Sequence, residues 1–288
     1  MHNRGALVSL SIALILWSLT FPLIRAMMGE VPLEVILTLR FGIAAIILMS
    51  VWMWKGKELP RGRDFWLTAF SGFCCVTGYQ LFSTHGIKTV SSGPASVLVD
   101  TMPIFATVLS VFILKHRPKW RTWTGLGVAL GGAALIAMGE SSGRLEWNFG
   151  VGLLLMAALI FSMGTIAQKP LMKRYDSLGI TAISFSAGAL AMIPFAPNLI
   201  VSTQQVALRH LFTIAFLAAG PGALAYGLWG HALSKLPVAK ASASLLLIGP
   251  LTFLVAWIFF DEIPAAISIL GATIACAGVW LVHSDEHA

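Results

Sequence analysis

The sequence predicts an all-α integral membrane protein with ten transmembrane helices, arranged as two inverted five-helix repeats. Of its 288 residues, 57% are hydrophobic and 11% are charged, and the mean hydropathy is +0.85. Soluble domains carry about 25% charged residues. Ten apolar stretches, each long enough to cross a bilayer, follow one another with short connections. Residues of the first five stretches recur in the last five, which indicates the duplication.

The ten predicted spans leave no connection long enough for a soluble domain. In chain order they cover residues 5–27, 33–54, 64–86, 92–114, 122–139, 148–170, 178–197, 208–233, 239–260 and 264–283. We interpret the first as a retained helix rather than a signal peptide, because it is too long for a signal-peptide core and further spans follow.

The distribution of Lys and Arg predicts the orientation. The N-terminus, the loops after even-numbered spans and the C-terminal tail hold 14 of these residues, whereas the other loops and their span ends hold 4. This bias places both termini in the cytoplasm and the protein in the cell (inner) membrane. The net charge of +7 therefore reflects membrane orientation, and we expect no nucleic-acid partner.

Matched residues define the two repeats, predicted at residues 1–140 and 147–283. Tyr79 and Pro103 recur 147 residues later as Tyr226 and Pro250, and Trp17 falls on Phe161 at an offset of 144. Five spans per repeat is an odd number, so the second copy enters the membrane from the opposite side. Inverted repeats are typical of secondary transporters, which bind substrate near the midplane.

Span 4 carries the sharpest functional signal, the carboxylate of Asp100. An ionised side chain at mid-membrane costs about 2.5–3.5 kcal/mol, so it should face protein or water rather than lipid. Helical spacing places it on one polar face with Ser92, Ser96, Pro103, Thr107 and Ser110. One interpretation is a substrate or proton-coupling role. The alternative is a structural ion pair with Arg40, the charge inside span 2.

Several other side chains suit either a substrate cavity or ordinary helix packing. The predicted substrate-binding set is Trp17, Tyr79, Gln80, Ser96, Asp100, Tyr226 and Trp229. We expect Trp17, Tyr79, Gln80, Tyr226 and Trp229 to converge with Asp100. Helix-breaking residues predict hinges, at Gly220, Pro221 and Gly222 in span 8, at Pro103 in span 4 and at Pro250 in span 9.

Other patterns favour structural interpretations. Gly127 and Gly131 in span 5 permit a close approach, either to span 10 or across a homodimer. His283 and His287 are expected in a solvated tail rather than at a metal. Enzyme motifs such as His-Glu-x-x-His and Gly-x-Ser-x-Gly are missing from the sequence, so we expect no catalytic residues, cofactor or metal. The expected partners are a small-molecule substrate and membrane lipid. A non-transporting membrane partner or lipid-handling protein, or a membrane enzyme, remains the alternative.

The order of motifs resembles the drug/metabolite transporter superfamily with two EamA-type repeats. The resemblance covers nearly the whole chain and is carried by Leu16-Trp17-Ser18, Leu39-Arg40-Phe41, Gly93-Pro94-Ala95-Ser96, the run 241–250 and Asp261-Glu262. It implies a small-molecule carrier, often an exporter, with a cavity lined by spans 1, 3, 4, 6, 8 and 9. Unlike many members, this chain has Lys115-His116-Arg117 after span 4 where an acid is common.

Overall fold

The computed structural model describes residues 2–55, 58–90, 92–140, 149–195, 199–204, 206–260 and 265–284. All regular structure within these ranges is helical. Nine of the described helical segments are long and apolar enough to cross a membrane. Asp261-Glu262, the connection between spans 5 and 6 and His287 lie outside the described residues.

Sixteen α-helices make up the described chain, some joined end to end within one span. They are α1 (His2–Ser18), α2 (Thr20–Met27), α3 (Leu33–Trp54), α4 (Arg63–Gly72), α5 (Tyr79–Gly86), α6 (Ser92–Val99), α7 (Met102–Ile113), α8 (Trp120–Glu140), α9 (Phe149–Leu171), α10 (Ser177–Met192), α11 (Leu199–Gln204), α12 (Leu208–Leu217), α13 (Ala225–Lys235), α14 (Val238–Ala243), α15 (Ile248–Phe260) and α16 (Ala266–His283).

The predicted spans correspond to these helices to within a few residues. Span 3, formed by α4 and α5, is a continuous helical run that is not among the nine apolar segments, because polar residues occupy much of it. The short helix α11, between spans 7 and 8, was not predicted. The all-helical membrane architecture expected from composition is confirmed.

Four of the spans contain π-helical or 3₁₀ segments within the described residues. Phe73–Gly78 in span 3 and Ala218–Leu224 in span 8 are π-helical. These two overlap when one repeat is shifted by 147 residues onto the other. A short 3₁₀ turn, Ile193–Phe195, ends span 7, and Ser244–Leu247 interrupts span 9. Local departures from α geometry of this kind often mark functional sites in membrane helices.

The chain forms two compact units, and each takes segments from both predicted repeats. Unit 1 comprises Met1–Thr77 and Ala167–Lys235, and unit 2 comprises Gly78–Ile166 and Leu236–Ala288. The two units defined by packing therefore do not coincide with the two repeats predicted along the chain. The two repeats remain a prediction from the sequence.

In unit 1, α3 packs against α10. Phe41, Leu48 and Trp52 from α3 share an apolar core with Phe185. The helix α4 approaches α10 so closely that a Cβ at Gly72 would lie 1.8 Å from the carbonyl oxygen of Ser184. Such contacts through small residues are the main means by which helices associate in lipid.

In unit 2, the corresponding close packing joins α8 to α16. Gly125 and Gly132 face Gly278 and Gly271, with backbone atoms of the facing helix within 3 Å of any added Cβ. Gly127 and Gly131, which we expected to pack either on span 10 or across a homodimer, are exposed, and a Cβ on either would meet nothing within 4 Å, so they do not pack on span 10. The close contact thus uses the same helix but the neighbouring glycines, because those face α16. The homodimer alternative stays a prediction.

The end of α16 also differs from expectation. His283 is partly buried, and its Nε2 lies 2.8 Å from Ser244 Oγ. Lys240, itself 7% exposed, donates a hydrogen bond to the His283 carbonyl at 3.4 Å. His283 is therefore part of the packed end of unit 2 rather than of a solvated tail.

Candidate functional site

Three of the predicted binding residues form an aromatic cluster in unit 1. The ring centroids of Trp17 and Tyr226 are 4.9 Å apart in an edge-to-face arrangement, and those of Trp17 and Trp229 are 5.6 Å apart. Phe185 extends the cluster, with its ring 4.4 Å from that of Tyr226. Trp17 and Trp229 are buried. Residues distant in sequence, from α1, α10 and α13, thus meet in one place.

The π-helical segment of span 8 is bonded directly to this cluster. Trp17 Nε1 donates a hydrogen bond to the Pro221 carbonyl oxygen at 3.0 Å, across 204 residues of sequence. Pro221 lies between Gly220 and Gly222 in that segment, where we predicted a helix irregularity. Proline has no N–H to donate, and the π geometry leaves carbonyl oxygens without their regular partners. The irregularity is observed, and the hinge role stays a prediction.

Arg40 places a buried positive charge in the same unit. It lies on α3, is 5% exposed, and its guanidinium carbon is 5.2 Å from the centroid of the Phe41 ring. Phe41 in turn contacts Phe185, with ring centroids 5.8 Å apart. Unit 1 therefore combines tilted and edge-to-face aromatic rings with a cation in its apolar interior. The proposed pairing of Arg40 with Asp100 stays a prediction.

In unit 2, Asp100 occupies an interruption between two helices. The helix α6 ends at Val99, α7 begins at Met102, and Asp100 and Thr101 form the turn that joins them. The Asp100 amide still bonds the Ser96 carbonyl at 2.8 Å. Pro103 lies in the first turn of α7, where a missing N–H is tolerated. The break that we expected beside Asp100 therefore falls on Asp100 itself.

The same break divides the predicted polar face of span 4. Ser96 is exposed, Asp100 is partly buried, and Thr107 is fully buried, with no hydrogen-bond partner for its Oγ1 in the described structure. Ser110 bonds the Thr107 carbonyl at 2.7 Å. The five residues whose side chains the structure describes thus do not share one environment, and the helix is interrupted between Val99 and Met102. The side chain of Ser92 lies outside the described part.

A second aromatic pair is connected to this break through a hydrogen bond of α9. The Tyr79 ring is 5.5 Å from that of Phe161 in an edge-to-face arrangement. The next residue, Ser162, donates a hydrogen bond to the Met102 carbonyl at 2.9 Å, at the first residue of α7. Gln80 follows Tyr79 in α5 and is partly buried. Tyr79, Phe161 and the Asp100 turn are thus connected through α9.

Two contributors were not in the predicted set. Phe161 could have been found, because the sequence already matched it to Trp17 and Tyr79 to Tyr226. A contact of Trp17 with Tyr226 therefore implies one of Phe161 with Tyr79. Phe185 had no comparable signal, since it is one of several apolar residues of span 7. The predicted role of all these residues in substrate binding stays a prediction.

Comparisons with known proteins agree on one family. The profile of the EamA-like transporter family matches residues 4–138 and 148–284. A relative from Streptantibioticus cattleyicolor, described as a "Probable terminal-alkyne amino-acid exporter", is 28% identical over 98% of this chain and 95% of its own. A Bacillus subtilis protein, "Uncharacterized transporter YdfC", is 28% identical over 96% of this chain and 90% of its own.

A solved crystal structure shares the fold. It superposes with a TM-score of 0.82 at 19% sequence identity, covering 98% of this chain and 99% of that one. The family profile accounts for nearly the whole chain in two consecutive matches. Together with the multi-pass helical architecture, this identifies the chain as a member of the EamA-like transporter family.

Proposed function

We propose that this protein is a secondary transporter that exports amino acids or related small amphipathic metabolites across the cytoplasmic membrane by alternating access. The observation that carries the proposal is the aromatic cluster of Trp17, Tyr226 and Trp229 beside a π-helical segment. Membership of a transporter family supports transport as the activity. The substrate class is suggested by the relative described as an amino-acid exporter.

The aromatic cluster provides the apolar part of the proposed recognition. Edge-to-face and tilted rings present both π faces and ring edges, which stack on apolar groups and attract cations such as an ammonium. Trp17 is held in orientation by its bond to the Pro221 carbonyl. A fixed indole loses less conformational freedom on binding than a mobile one, which favours affinity.

The Asp100 turn, considered by itself within unit 2, is the second feature behind the proposal. A carboxylate at a helix interruption can accept a proton or attract a substrate ammonium. The interruption also leaves backbone groups that the helices no longer use for internal hydrogen bonds. Broken helices of this kind form substrate and ion sites in many secondary transporters. No ATP-binding motif occurs in the sequence, so the driving force in this proposal is an ion or solute gradient.

Transport by purified protein in sealed proteoliposomes tests the proposal. Vesicles loaded with radiolabelled amino acids of differing side-chain character should release a subset faster than protein-free vesicles, and Trp17→Ala should slow that release. Trp257→Ala is the matched control, since Trp257 is 54% exposed in α15. If no amino acid or related metabolite moves faster than through the bare bilayer, the protein is a non-transporting partner and the proposal is wrong.

Direction is tested in cells. An overexpressing strain should tolerate higher external concentrations of a toxic amino-acid analogue if the protein exports it, and should become more sensitive if the protein imports it. The proposed cytoplasmic placement of both termini is tested with reporter fusions after Ala288 and within residues 141–146. These two positions should report opposite sides of the membrane, and agreement between them would contradict the ten-span topology.

A further inference from the structure

A first polar cluster joins the turn before α3 to the start of α12. Glu30 Oε2 accepts a hydrogen bond from the Arg209 guanidinium and lies 2.8 Å from His210 Nε2. Arg209 and His210 are the second and third residues of α12, and His210 is 6% exposed. The turn between spans 1 and 2 is thus attached to the beginning of span 8, within unit 1.

A second polar cluster joins the turn after α9 to the start of α4. The Asp64 carboxylate lies 2.9 Å from Arg174 Nη1 and accepts a hydrogen bond from the Tyr175 hydroxyl at 3.0 Å. Asp64 is the second residue of α4, and its side chain is 15% exposed. The turn between spans 6 and 7 is thus attached to the beginning of span 3, also within unit 1.

The two clusters occupy equivalent places in the two repeats. Glu30 and Arg174 are 144 residues apart, the offset that also relates Trp17 to Phe161. Asp64 lies within two residues of the positions matched to Arg209 and His210 at an offset of 147. The charges are exchanged between the two clusters: the turn supplies the acidic Glu30 in one and the basic Arg174 in the other. The attachment recurs although the residues that make it differ.

Each cluster closes the end of a tight helix pair. The helix α4 packs on α10, where Gly72 approaches Ser184, and α12 with the following π-helical segment packs on α3, where Gly222 approaches Ala44. Glu30 precedes the 22-residue helix α3 and Asp64 follows it. A helix of that length extends roughly 33 Å, so the clusters lie at its opposite ends.

We infer that these clusters are two equivalent clasps. One keeps the first half of span 8 fixed against span 2, and the other keeps the first half of span 3 fixed against span 7. The first clasp consists of Glu30, Arg209 and His210, and it is called the Glu30–Arg209–His210 clasp. The second consists of Asp64, Arg174 and Tyr175, and it is called the Asp64–Arg174–Tyr175 clasp. The tight helix contacts alone leave the helix starts free to fray at the membrane surface, and the clasps attach those starts to the adjacent turns. Conformational change within spans 3 and 8 is therefore confined to the π-helical segments and the residues after them.

Amide hydrogen exchange of the purified full-length protein tests the clasps without any transport assay. Glu30→Ala should speed exchange in the first turn of α12 several-fold, and Asp64→Ala should do so in the first turn of α4. Glu34→Ala and Asp176→Ala are matched controls, since both acids are exposed in the same regions, and they should leave exchange unchanged. Reversing the pair in Glu30→Arg with Arg209→Glu should restore slow exchange. Unchanged exchange in both Glu30→Ala and Asp64→Ala would overturn the inference.

Cross-linking tests the claim that the clasps stay closed during the cycle, and this arm rests on the proposed transport function. Glu30→Cys with His210→Cys, and separately Asp64→Cys with Tyr175→Cys, are joined in proteoliposomes with a short bis-methanethiosulfonate reagent, which forms disulfides that a reductant can cleave. Flux should persist after cross-linking. A loss of flux that reductant reverses would show that the clasp must open, and would overturn the inference. If the uncross-linked variants and the parent protein carry no flux, the transport proposal fails, whereas hydrogen exchange still decides whether the clasps exist.

Discussion

The two aromatic pairs are the most informative comparison within this protein. Trp17 meets Tyr226 in unit 1, and their repeat mates Phe161 and Tyr79 meet in unit 2 with nearly the same edge-to-face geometry, at 4.9 and 5.5 Å. Residues matched by the predicted duplication thus make the same kind of contact, between spans 1 and 8 and between spans 6 and 3. Trp17 also contacts Trp229, and its Nε1 donates a hydrogen bond to a carbonyl of the π-helical segment in span 8.

The carboxylate of Asp100 is a difference between matched positions of the two repeats. Asp100 belongs to unit 2, and its mate at the 147-residue offset is the apolar Leu247. Both positions adjoin a helix interruption, the turn at Asp100–Thr101 in span 4 and the 3₁₀ segment Ser244–Leu247 in span 9. The scaffold thus requires the interruption but not the carboxylate. This comparison indicates that the aromatic extension and the carboxylate are specialisations of a shared framework.

The largest effect is expected for Asp100→Asn. The amide keeps the shape of the side chain but can neither ionise nor carry a proton, so flux should fall to near background while the protein still inserts and folds. Proteoliposome flux and size-exclusion behaviour are the measurements. Leu247→Ala, at the matched interruption, is the control and should retain flux. Normal flux in Asp100→Asn at every pH would show that the asymmetry has no functional meaning, whereas failure to accumulate would support the structural ion pair.

Comparing Trp17→Ala with Phe161→Ala separates the two pairs. Truncating a buried aromatic residue costs about 3–5 kcal/mol where the surroundings cannot collapse. Trp17 is the larger side chain, and it contacts two rings and the Pro221 carbonyl. Its truncation to Ala removes more buried volume than that of Phe161, so it should lower both flux and the unfolding temperature more. Equal losses of flux and of unfolding temperature in the two variants would mean that the additional contacts of Trp17 contribute to neither transport nor stability.

A smaller effect is expected for Trp17→Phe, which keeps a ring and removes the bond to Pro221. Hydrogen bonds between membrane helices contribute about 0.6 kcal/mol on average. We therefore expect a small loss of thermal stability and a clear loss of affinity for substrate, because the ring is no longer held in one orientation. Trp52→Phe is the control, since Trp52 is buried but its Nε1 has no partner in the described structure. An unchanged apparent affinity in Trp17→Phe would contradict the proposed orienting role.

The smallest effect concerns the pH dependence of the Glu30–Arg209–His210 clasp. Hydrogen bonds from His210, and then from Arg209, lower the pKa of Glu30 below its ordinary value of 4.5. A carboxyl group with a lowered pKa stabilises the folded state above its unfolded pKa, and this contribution disappears as the pH falls through its folded pKa. Thermal unfolding of Glu30→Gln should therefore differ from the parent at neutral pH and converge with it in acid. A constant difference down to pH 3 would contradict the assignment.

Much of the framework follows from the sequence because lipid imposes simple requirements. Backbone groups in the bilayer must bond within their own helix, so apolar length alone predicts the spans. The Gly-Pro-Gly run likewise predicts the irregularity at Ala218–Leu224, since proline and glycine weaken a helix locally. The π-helical segment Phe73–Gly78 has no proline and was not predicted. Thr77 of this segment donates a hydrogen bond to the Gly188 carbonyl of α10 at 2.6 Å, a contact across 111 residues that no local pattern encodes.

The sequence by itself determined the helical membrane class, the spans and the matched residues of the repeats, because hydrophobic length and residue offsets are properties of the chain. Only the tertiary structure decided which matched residues touch. It brought Trp17 to Tyr226 and Phe161 to Tyr79, chose Gly125 and Gly132 over Gly127 and Gly131 for packing, and moved the break in span 4 onto Asp100. The physical reason is that helix rotation and contact depth depend on the facing side chains, which lie far away in sequence.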